Sequence, residues 1–338
     1  MRVLRLISLA IASFAMACFV YGFAARIAAK HVGGPAYAAE PAADLGAPPA
    51  TPVQEQPEVL TSGPVHEAFA KPVSMQAQAS VVAPIEPPAV IQETPPQDRP
   101  QGDHYTWVPG YWAWEGTSNN YLWVSACWRV APPNMSWVPG YWNRVGGGWE
   151  WVAGFWTANG TAAIDYHPAP PAVTDLQPPG PPPVADNIWV PSCWYWREGR
   201  YVLRAGYWIQ PQAGWLWVPS HYNWTPRGYV FIAGHWDYSL ERRGVLFAPV
   251  RFAHATVGVG FVFSPSVVVD VNVMTANLFT YPRYCHYYFG DYYDDAFVQI
   301  GIFPWFDRER IHGWYDPIFE YDRWHFRAEP DWTQRLRH

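Results

Sequence analysis

The stretch Trp107-Val108-Pro109-Gly110-Tyr111-Trp112 decides the fold of this chain, because the chain repeats it. The phrase returns at 137–142 and, with Ala-Gly in place of Pro-Gly, at 151–156. Weaker versions bring the number of phrases to nine, with starts 14 or 16 residues apart inside two blocks: Trp107, Trp123, Trp137, Trp151, Trp189, Leu203, Trp217, Phe231 and Phe247. A repeat at a fixed period predicts that each unit is one supersecondary element stacked on its neighbours.

The phrases predict β-strands, because short aromatic and β-branched runs alternate with Gly and Pro. Turn signals such as Gly146-Gly147-Gly148 and Thr225-Pro226-Arg227-Gly228 separate the phrases. After the last phrase, Val257–Phe263 and Val267–Val273 predict two further strands, the second with an apolar residue at every other position. We therefore expect an all-β fold: an antiparallel meander of Trp-rich 14-residue repeats in two blocks, plus a smaller β-containing C-terminal module.

The spacing within a phrase leaves two local geometries open. The two Trp residues lie five positions apart, so a flat strand would point them to opposite faces. A two-residue turn at Pro109-Gly110 would make Trp107 and Trp112 a cross-strand pair, whereas a one-residue bulge would return both to one face of a single strand. Pro109 favours the turn, since Pro in a central strand removes a ladder hydrogen bond.

Composition divides the chain into six regions. The 36 Pro residues cluster outside the phrases, and a segment rich in Pro, Ala and Gln cannot bury enough apolar surface to offset its ordering entropy. The predicted regions are a signal peptide at 1–38, a disordered spacer at 39–103, repeat block I at 104–157, a Pro-rich linker at 158–187, repeat block II at 188–252 and an aromatic, acidic C-terminal module at 253–338.

The N-terminus predicts export. Arg2 and Arg5 precede an uninterrupted apolar stretch from Leu6 to Ala25, and Ala36-Tyr37-Ala38 fits the small-x-small cleavage pattern. The apolar stretch, at about 20 residues, is also long enough to span a bilayer, so an uncleaved anchor stays open. We expect a periplasmic or cell-surface protein that contacts the membrane only through this segment, if the segment is retained.

Composition argues against a nucleic-acid partner. The formal net charge is -6, and charged residues make up 15% of the chain against a typical value of about 25%. The sequence has no basic run beyond a few residues near Arg335 and Arg337. A nucleic-acid-binding surface needs clustered Lys and Arg, so we expect a partner of another class.

The repeated phrase resembles the YXWGXW (also WXXGXW) repeat of a family of exported bacterial proteins. The likeness covers 107–156 and, more loosely, 189–252. The chain departs from the pattern at Ala126 and Ser192 in the Gly position, Leu203 and Phe231 in the first Trp position and Tyr222 in the last. The resemblance implies export and a β-rich repeat; it carries over no activity.

Cys127 and Cys193 form a candidate disulfide. Both occupy the slot that holds Tyr111 and Tyr141 in other phrases, so they could face each other if the two blocks pack together. An exported compartment permits oxidation. Two buried free thiols are the alternative, and the odd Cys285 could pair with either cysteine.

No other pattern points to catalysis, a cofactor or a metal. The cysteines are too widely spaced for Cys-x-x-Cys, and Cys285-His286 lacks the preceding Cys of a haem attachment site. His221 and His235 replace Tyr in neighbouring phrases and are expected to be alternative aromatics. The acidic residues of 291–322 predict a solvated edge. We expect a protein that is not an enzyme.

The Trp residues leave two functions open. As a core, they would stabilise a cell-envelope scaffold or protein-interaction module, since each aromatic side chain buries about 150–250 Å². As an exposed row, they would bind glycans such as peptidoglycan or a polysaccharide. The candidate binding residues are the second Trp of five phrases: Trp112, Trp142, Trp156, Trp208 and Trp236.

Overall fold

The structure is a computed structural model. It describes residues 57–102, 104–252, 261–307, 310, 313–329 and 331–336. The export signal, the first part of the predicted spacer and most of the predicted strand at 257–263 lie outside these residues. Within them, strands predominate over helices and the prediction of an all-β fold is confirmed. None of the described helices is long and apolar enough to cross a membrane.

The strands are short. Before the repeats come β1 (Glu58–Val59), β2 (Gly63–Pro64), β3 (Val73–Ser74), β4 (Val82–Ala83) and β5 (Gln92–Glu93). Block I holds β6 (Tyr105–Val108), β7 (Tyr111–Glu115), β8 (Asn120–Val124), β9 (Cys127–Val130), β10 (Met135–Val138), β11 (Tyr141–Val145), β12 (Gly148–Val152) and β13 (Phe155–Ala158). Block II holds β14 (Ile188–Val190), β15 (Cys193–Arg197), β16 (Arg200–Arg204), β17 (Tyr207–Ile209), β18 (Trp215–Val218), β19 (His221–Thr225), β20 (Gly228–Ile232) and β21 (His235–Tyr238).

The remaining elements follow block II. They are β22 (Gly244–Leu246), β23 (Val250–Arg251), β24 (Val262–Phe263), α1 (Val271–Ala276), β25 (Leu278–Tyr281), β26 (His286–Phe289), α2 (Asp295–Gln299), β27 (Phe303–Pro304), β28 (Trp314–Tyr315), α3 (Pro317–His325) and α4 (Trp332–Arg335). Two 3₁₀ helices lie at Leu240–Arg242 and Pro282–Tyr284.

Two consecutive phrases form one antiparallel hairpin. In the first, Trp107 pairs with Trp128 across β6 and β9, and Trp112 pairs with Trp123 across β7 and β8. The same nested pairing recurs in every hairpin. We name the four hairpins copy 1 (β6–β9), copy 2 (β10–β13), copy 3 (β14–β17) and copy 4 (β18–β21).

The two middle residues of each phrase interrupt the strand ladder. We call this interruption the corner of the phrase; it is neither a hairpin turn nor a bulge. Pro109 and Gly110 separate β6 from β7, and both strands keep the same register with the partner phrase on either side. The chain therefore continues without reversing, and two residues are unpaired on each strand, so both proposed geometries are wrong. Reversal occurs between phrases: in copy 3, Glu198 and Gly199 both have positive φ, as a two-residue type I′ turn requires.

The ninth phrase, at 247–252, adds to copy 1. β22 pairs with β9, and β23 pairs with β8 through Val250 and Trp123. In copy 2, β4 pairs with β12. In copy 4, His167 exchanges two backbone hydrogen bonds with Tyr229 of β20, at 2.8 and 2.9 Å. Among the described residues, β16 of copy 3 pairs with β15 alone.

The segment 57–102 differs from the predicted spacer. It contributes five strands that pair with the repeats or with the C-terminal module. Val65 and Phe69 are fully buried, and Ala68 is 1% exposed. The disorder predicted from Pro content is therefore wrong for this part of the chain, because a few apolar residues are buried at sites that the repeats provide.

The linker at 158–187 also contacts the repeats. Besides the His167 bridge, the backbone oxygens of Ala172 and Asp175 accept hydrogen bonds from the indoles of Trp194 and Trp189. Its Pro residues suit this role. An extended Pro-rich chain offers backbone carbonyl acceptors and has few backbone N–H groups that need an acceptor of their own.

The C-terminal module combines strands and short helices. β25 pairs with β26 and β27, as a β-containing module predicts. The strand predicted at Val267–Val273 is confirmed only in its first part, where Val268 forms a β-bridge with Phe247. From Asp270 onward it is wrong, because the Asp270 carboxylate accepts hydrogen bonds from the backbone N–H groups of Asn272 and Val273. This N-cap starts α1 in the middle of the alternating pattern.

A buried ion network joins copy 1, copy 4 and the segment 57–102. Arg129 of β9 contacts both carboxylate oxygens of Asp237 in β21, at 2.7 and 2.6 Å. Arg243 contacts the same carboxylate at 2.9 Å and donates to the backbone oxygen of Phe69 at 2.6 Å. Burial alone would raise the pKa of Asp237, but the two guanidinium groups together hold it below its usual value.

Candidate binding site at the repeat corners

Each copy is built around paired indoles. The Trp112 and Trp123 rings meet edge to face with centroids 5.2 Å apart. Equivalent pairs are Trp107–Trp128, Trp137–Trp156, Trp142–Trp151, Trp189–Trp208 and Trp217–Trp236, with centroids between 5.1 and 5.5 Å apart. Such pairs contribute about 0.5–1.5 kcal/mol each beyond their burial.

The Gly of the phrase makes room for a Trp of the partner phrase. A β-carbon added at Gly154 would collide with Cζ2 of Trp137, and one added at Gly206 would collide with Cζ2 of Trp189. The first Trp and the Gly are therefore required together, since one packs directly on the other. The backbone N–H of this Gly lies outside the strand ladder, because the two middle residues of the phrase are unpaired.

In copy 1 a carboxylate accepts these free donors. Glu93 accepts from the backbone N–H of Gly110 at 2.8 Å, from that of Ala126 at 3.1 Å and from the indole Nε1–H of Trp123 at 2.9 Å. Gly110 and Ala126 hold the Gly position of the two paired phrases. One carboxylate thus joins both corners of the hairpin.

Copy 2 repeats this arrangement with Glu67. Its carboxylate accepts from the backbone N–H of Gly154 at 2.8 Å and from the indole of Trp151 at 3.3 Å. Lys71 donates to the backbone oxygen of Gly154 at 2.9 Å. The corner of copy 2 is therefore bound by two residues of the segment 57–102.

Copies 3 and 4 have Ser in one Gly position. In copy 3, Ser192 donates to the carboxylate of Asp175, whose backbone oxygen accepts from Trp189 at 3.3 Å. In copy 4, the Ser220 hydroxyl accepts from the backbone N–H of Gly234 at 2.9 Å. The buried indole nitrogen of Trp217 has no hydrogen-bond partner among the described residues.

The corners of copies 1 and 2 are therefore small receptors for a carboxylate. Burial raises the pKa of Glu93, and hydrogen bonds from Trp123, Ala126 and Gly110 act against that rise by stabilising the charged form. In copy 1 the donors are backbone and indole N–H groups, and Glu93 forms no ion pair among the described residues. No group of His, Cys, Asp and Glu in the described part of the chain is arranged to hold a metal ion.

A family model described as WXXGXW repeat (2 copies) matches four segments of the chain, at 102–129, 133–157, 188–208 and 213–236. The chain carries WXXGXW repeats. Each matched segment coincides with one hairpin, so the two phrases of the family model are the two arms of a WXXGXW copy. Comparisons with curated proteins and with solved structures gave no match.

The five predicted binding Trp residues lie within the indole pairs of the WXXGXW copies. Trp112 is buried at 3% exposure. The other four, Trp142, Trp156, Trp208 and Trp236, are partly buried. The structure does not bring the five together into one open row, because each packs on the opposite Trp of its own copy.

The predicted disulfide is not formed: Cys127, Cys193 and Cys285 are free thiols. Cys127 pairs with Val108 in copy 1, and Cys193 pairs with Arg204 in copy 3. The two cysteines therefore belong to strand ladders of different copies. Burial raises the pKa of both Cys127 and Cys193 to about 12, which disfavours the thiolate needed for oxidation.

His221 and His235 stand in the Tyr position, and each donates its Nδ1–H to the backbone oxygen of the residue two positions earlier, at 2.8 and 2.9 Å. Burial lowers the pKa of His221 to about 3 and also lowers that of His235. Both are therefore neutral, partly buried rings.

Sequence analysis missed the acidic residues that fill the corners. Glu67, Glu93 and Asp175 lie in segments whose composition suggested a spacer and a linker. A signal was nevertheless present: Gly in a corner leaves an N–H outside the ladder, and a buried N–H needs an acceptor. The sequence does not show which acceptor meets which corner.

Proposed function

We propose that this protein is a non-catalytic, exported cell-envelope scaffold or protein-interaction module whose WXXGXW copies receive extended, acid-bearing segments of partner proteins. One observation supports it above others: in three of the four copies a corner is occupied by an acidic residue from outside the repeats, namely Glu93, Glu67 and Asp175. Backbone and indole donors that accept a segment of the same chain offer the same chemistry to a partner's segment.

Export is the second part of this proposal. Its support is the charged start at Arg2 and Arg5, the apolar stretch and the Ala36-Tyr37-Ala38 pattern. We expect N-terminal sequencing of the protein from its native host to find a mature chain that begins near Ala39. An intact Met1 in a soluble cytoplasmic fraction would contradict export.

Glycan binding is the second candidate. The partial exposure of Trp142, Trp156, Trp208 and Trp236 favours it. The indole pairs count against it, because a sugar ring stacks on a free aromatic face and each of these rings already meets a second indole.

Tryptophan fluorescence separates the two candidates. We expect no saturable change in fluorescence intensity when the full chain is titrated with peptidoglycan fragments or soluble polysaccharides. In a separate experiment, we expect chemical cross-linking in intact cells to join the chain to envelope proteins. Saturable quenching that is lost in Trp142→Ala and kept in Trp324→Ala would establish glycan binding instead. Turnover of any of these glycans would contradict both candidates.

A further inference from the structure

We propose that β16 of copy 3 is an open sheet edge that binds an extended acidic segment of a partner protein as an added antiparallel strand. This inference rests on the proposed function, since it names the surface that the interaction module uses. It begins from a difference among the copies. β8, β12 and β20 are each paired on their outer side, whereas β16 pairs only with β15 among the described residues.

The outward backbone groups of β16 can be assigned from the other copies. Tyr229 in copy 4 corresponds to Tyr201, and its N–H and C=O both bond outward to His167. Trp123 in copy 1 corresponds to Leu203 and pairs outward with Val250. Tyr201 and Leu203 therefore direct their N–H and C=O groups to the open side of β16.

The side chains of β16 are exposed in a way that suits a bound strand. Val202 is 42% exposed and Leu203 is 47% exposed, which is unusual for apolar residues beside such buried repeats. An edge with free backbone groups and exposed apolar side chains is a template for strand addition.

Charge identifies the class of partner. Arg200 and Arg204 stand at the two ends of β16, and Arg197 ends the neighbouring β15. No carboxylate of the described residues forms an ion pair with any of the three. Arg204 is held in place by its hydrogen bond to the Tyr195 hydroxyl at 3.3 Å and by stacking over Tyr207. A segment that alternates acidic and apolar residues would pair its carboxylates with these guanidinium groups.

The test measures binding of a synthetic peptide of alternating Glu and Val to the full chain. We expect saturable binding that weakens at least about tenfold in Leu203→Pro, which removes an outward N–H and leaves the ladder to β15 intact. Arg200→Glu should weaken binding to a similar degree. Leu203→Ala, which keeps the N–H, is the matched control and should bind as the unaltered chain does.

A second measurement guards against misfolding of the Pro variant. A peptide with the same side chains and methylated backbone nitrogens cannot complete the strand, so it should not bind the unaltered chain. Equal binding of the methylated peptide, or of a peptide with Lys in place of Glu, would overturn the proposal. So would a concentration-dependent dimer of this chain that Leu203→Pro abolishes, because the edge would then serve self-association.

The outcomes also separate this inference from the proposed function. If envelope proteins still cross-link to Arg200→Glu and Leu203→Pro chains as they do to the unaltered one, the module stands and its contact surface is elsewhere. If the peptide binds β16 but no envelope protein is found, the edge stands and the proposed function fails.

Discussion

Copy 1 and copy 3 share one hairpin plan and differ in almost everything around it. Both have nested cross-strand pairing that includes a Trp pair, a corner in the middle of each phrase and one continuous register. In copy 1, four of the five residues of β8 are buried and Trp123 is wholly inaccessible. In copy 3, four of the five residues of β16 are exposed.

The difference comes from what the rest of the chain adds. Copy 1 receives β22 and β23 along the edge formed by β9 and β8, and the Glu93 carboxylate at both of its corners. Copy 3 receives Asp175 and no third strand among the described residues. The WXXGXW phrase thus determines the hairpin, and segments outside the repeat determine whether that hairpin becomes core or surface.

The largest expected effect comes from breaking the ion network that joins copy 1 to copy 4. Asp237→Ala leaves the guanidinium groups of Arg129 and Arg243 buried without a carboxylate, and loss of one partner in such a network costs about 3–5 kcal/mol. Urea unfolding followed by circular dichroism should show this loss. Glu58→Ala removes the exposed pair with Arg251 and should cost no more than about 1 kcal/mol. Equal losses in the two variants would contradict the role of the network.

Two of the three corner carboxylates, Glu93 and Asp175, give the next comparison. Glu93→Ala leaves three N–H donors of copy 1 without their acceptor and should lower the free energy of unfolding by about 2–3 kcal/mol. Asp175→Ala should cost about 1 kcal/mol, because only the Ser192 hydroxyl loses its partner and the bond from Trp189 goes to the backbone. The measurement is the same urea titration. A larger loss for Asp175→Ala would reverse the order that the corner geometry implies.

Acid should loosen copy 1 through His66. Its ring bonds the backbone oxygen of Pro109 at 3.0 Å and accepts from the N–H of Ala68 at 3.1 Å, so both nitrogens are used by the neutral form. Burial lowers the pKa of His66 from 6.5 to about 4. The folded state therefore binds this proton more weakly than the unfolded chain. The contribution of His66 to stability is complete above pH 6.5 and falls by about 1.4 kcal/mol per unit as pH drops toward 4.

This prediction is checked by the pH dependence of the free energy of unfolding between pH 7.5 and 4.5. His66→Gln should reduce the slope of the free energy of unfolding against pH by the contribution of one proton, about 1.4 kcal/mol per pH unit. His325→Gln changes an exposed ring and serves as the control. An unchanged slope in His66→Gln would show that other groups account for the acid sensitivity.

The sequence was enough to predict strands, and it left the pairing of phrases open for a physical reason. A 14-residue period is the same whether a phrase folds on itself or on its neighbour. Signals for reversal were present between phrases, at Gly146-Gly147 and Glu198-Gly199. The second outweighs Pro109-Gly110 because both residues of a type I′ turn need positive φ, which Glu198 and Gly199 have. Pro at the first position cannot supply it.

The contribution of 57–102 could not be predicted from composition. Val65 and Phe69 are isolated apolar residues in a polar, Pro-rich segment, and their burial depends on sites formed by distant strands. The same holds for Glu67 and Glu93, whose partners lie 87 and 17 residues away. Local pattern carries no information about such long-range contacts.

The two-phrase hairpin gives this architecture a rule of parity. A phrase is half of a folding unit, so a duplication of one phrase leaves an unmatched half, and a duplication of two adds a complete hairpin. This chain has an odd number of phrases, and its last one lies beside the second phrase of copy 1. The unmatched phrase therefore pairs the end of the repeat array with its beginning. An odd number of phrases closes the array in this way. We expect an array with an even number of phrases to cover its terminal strands by other segments.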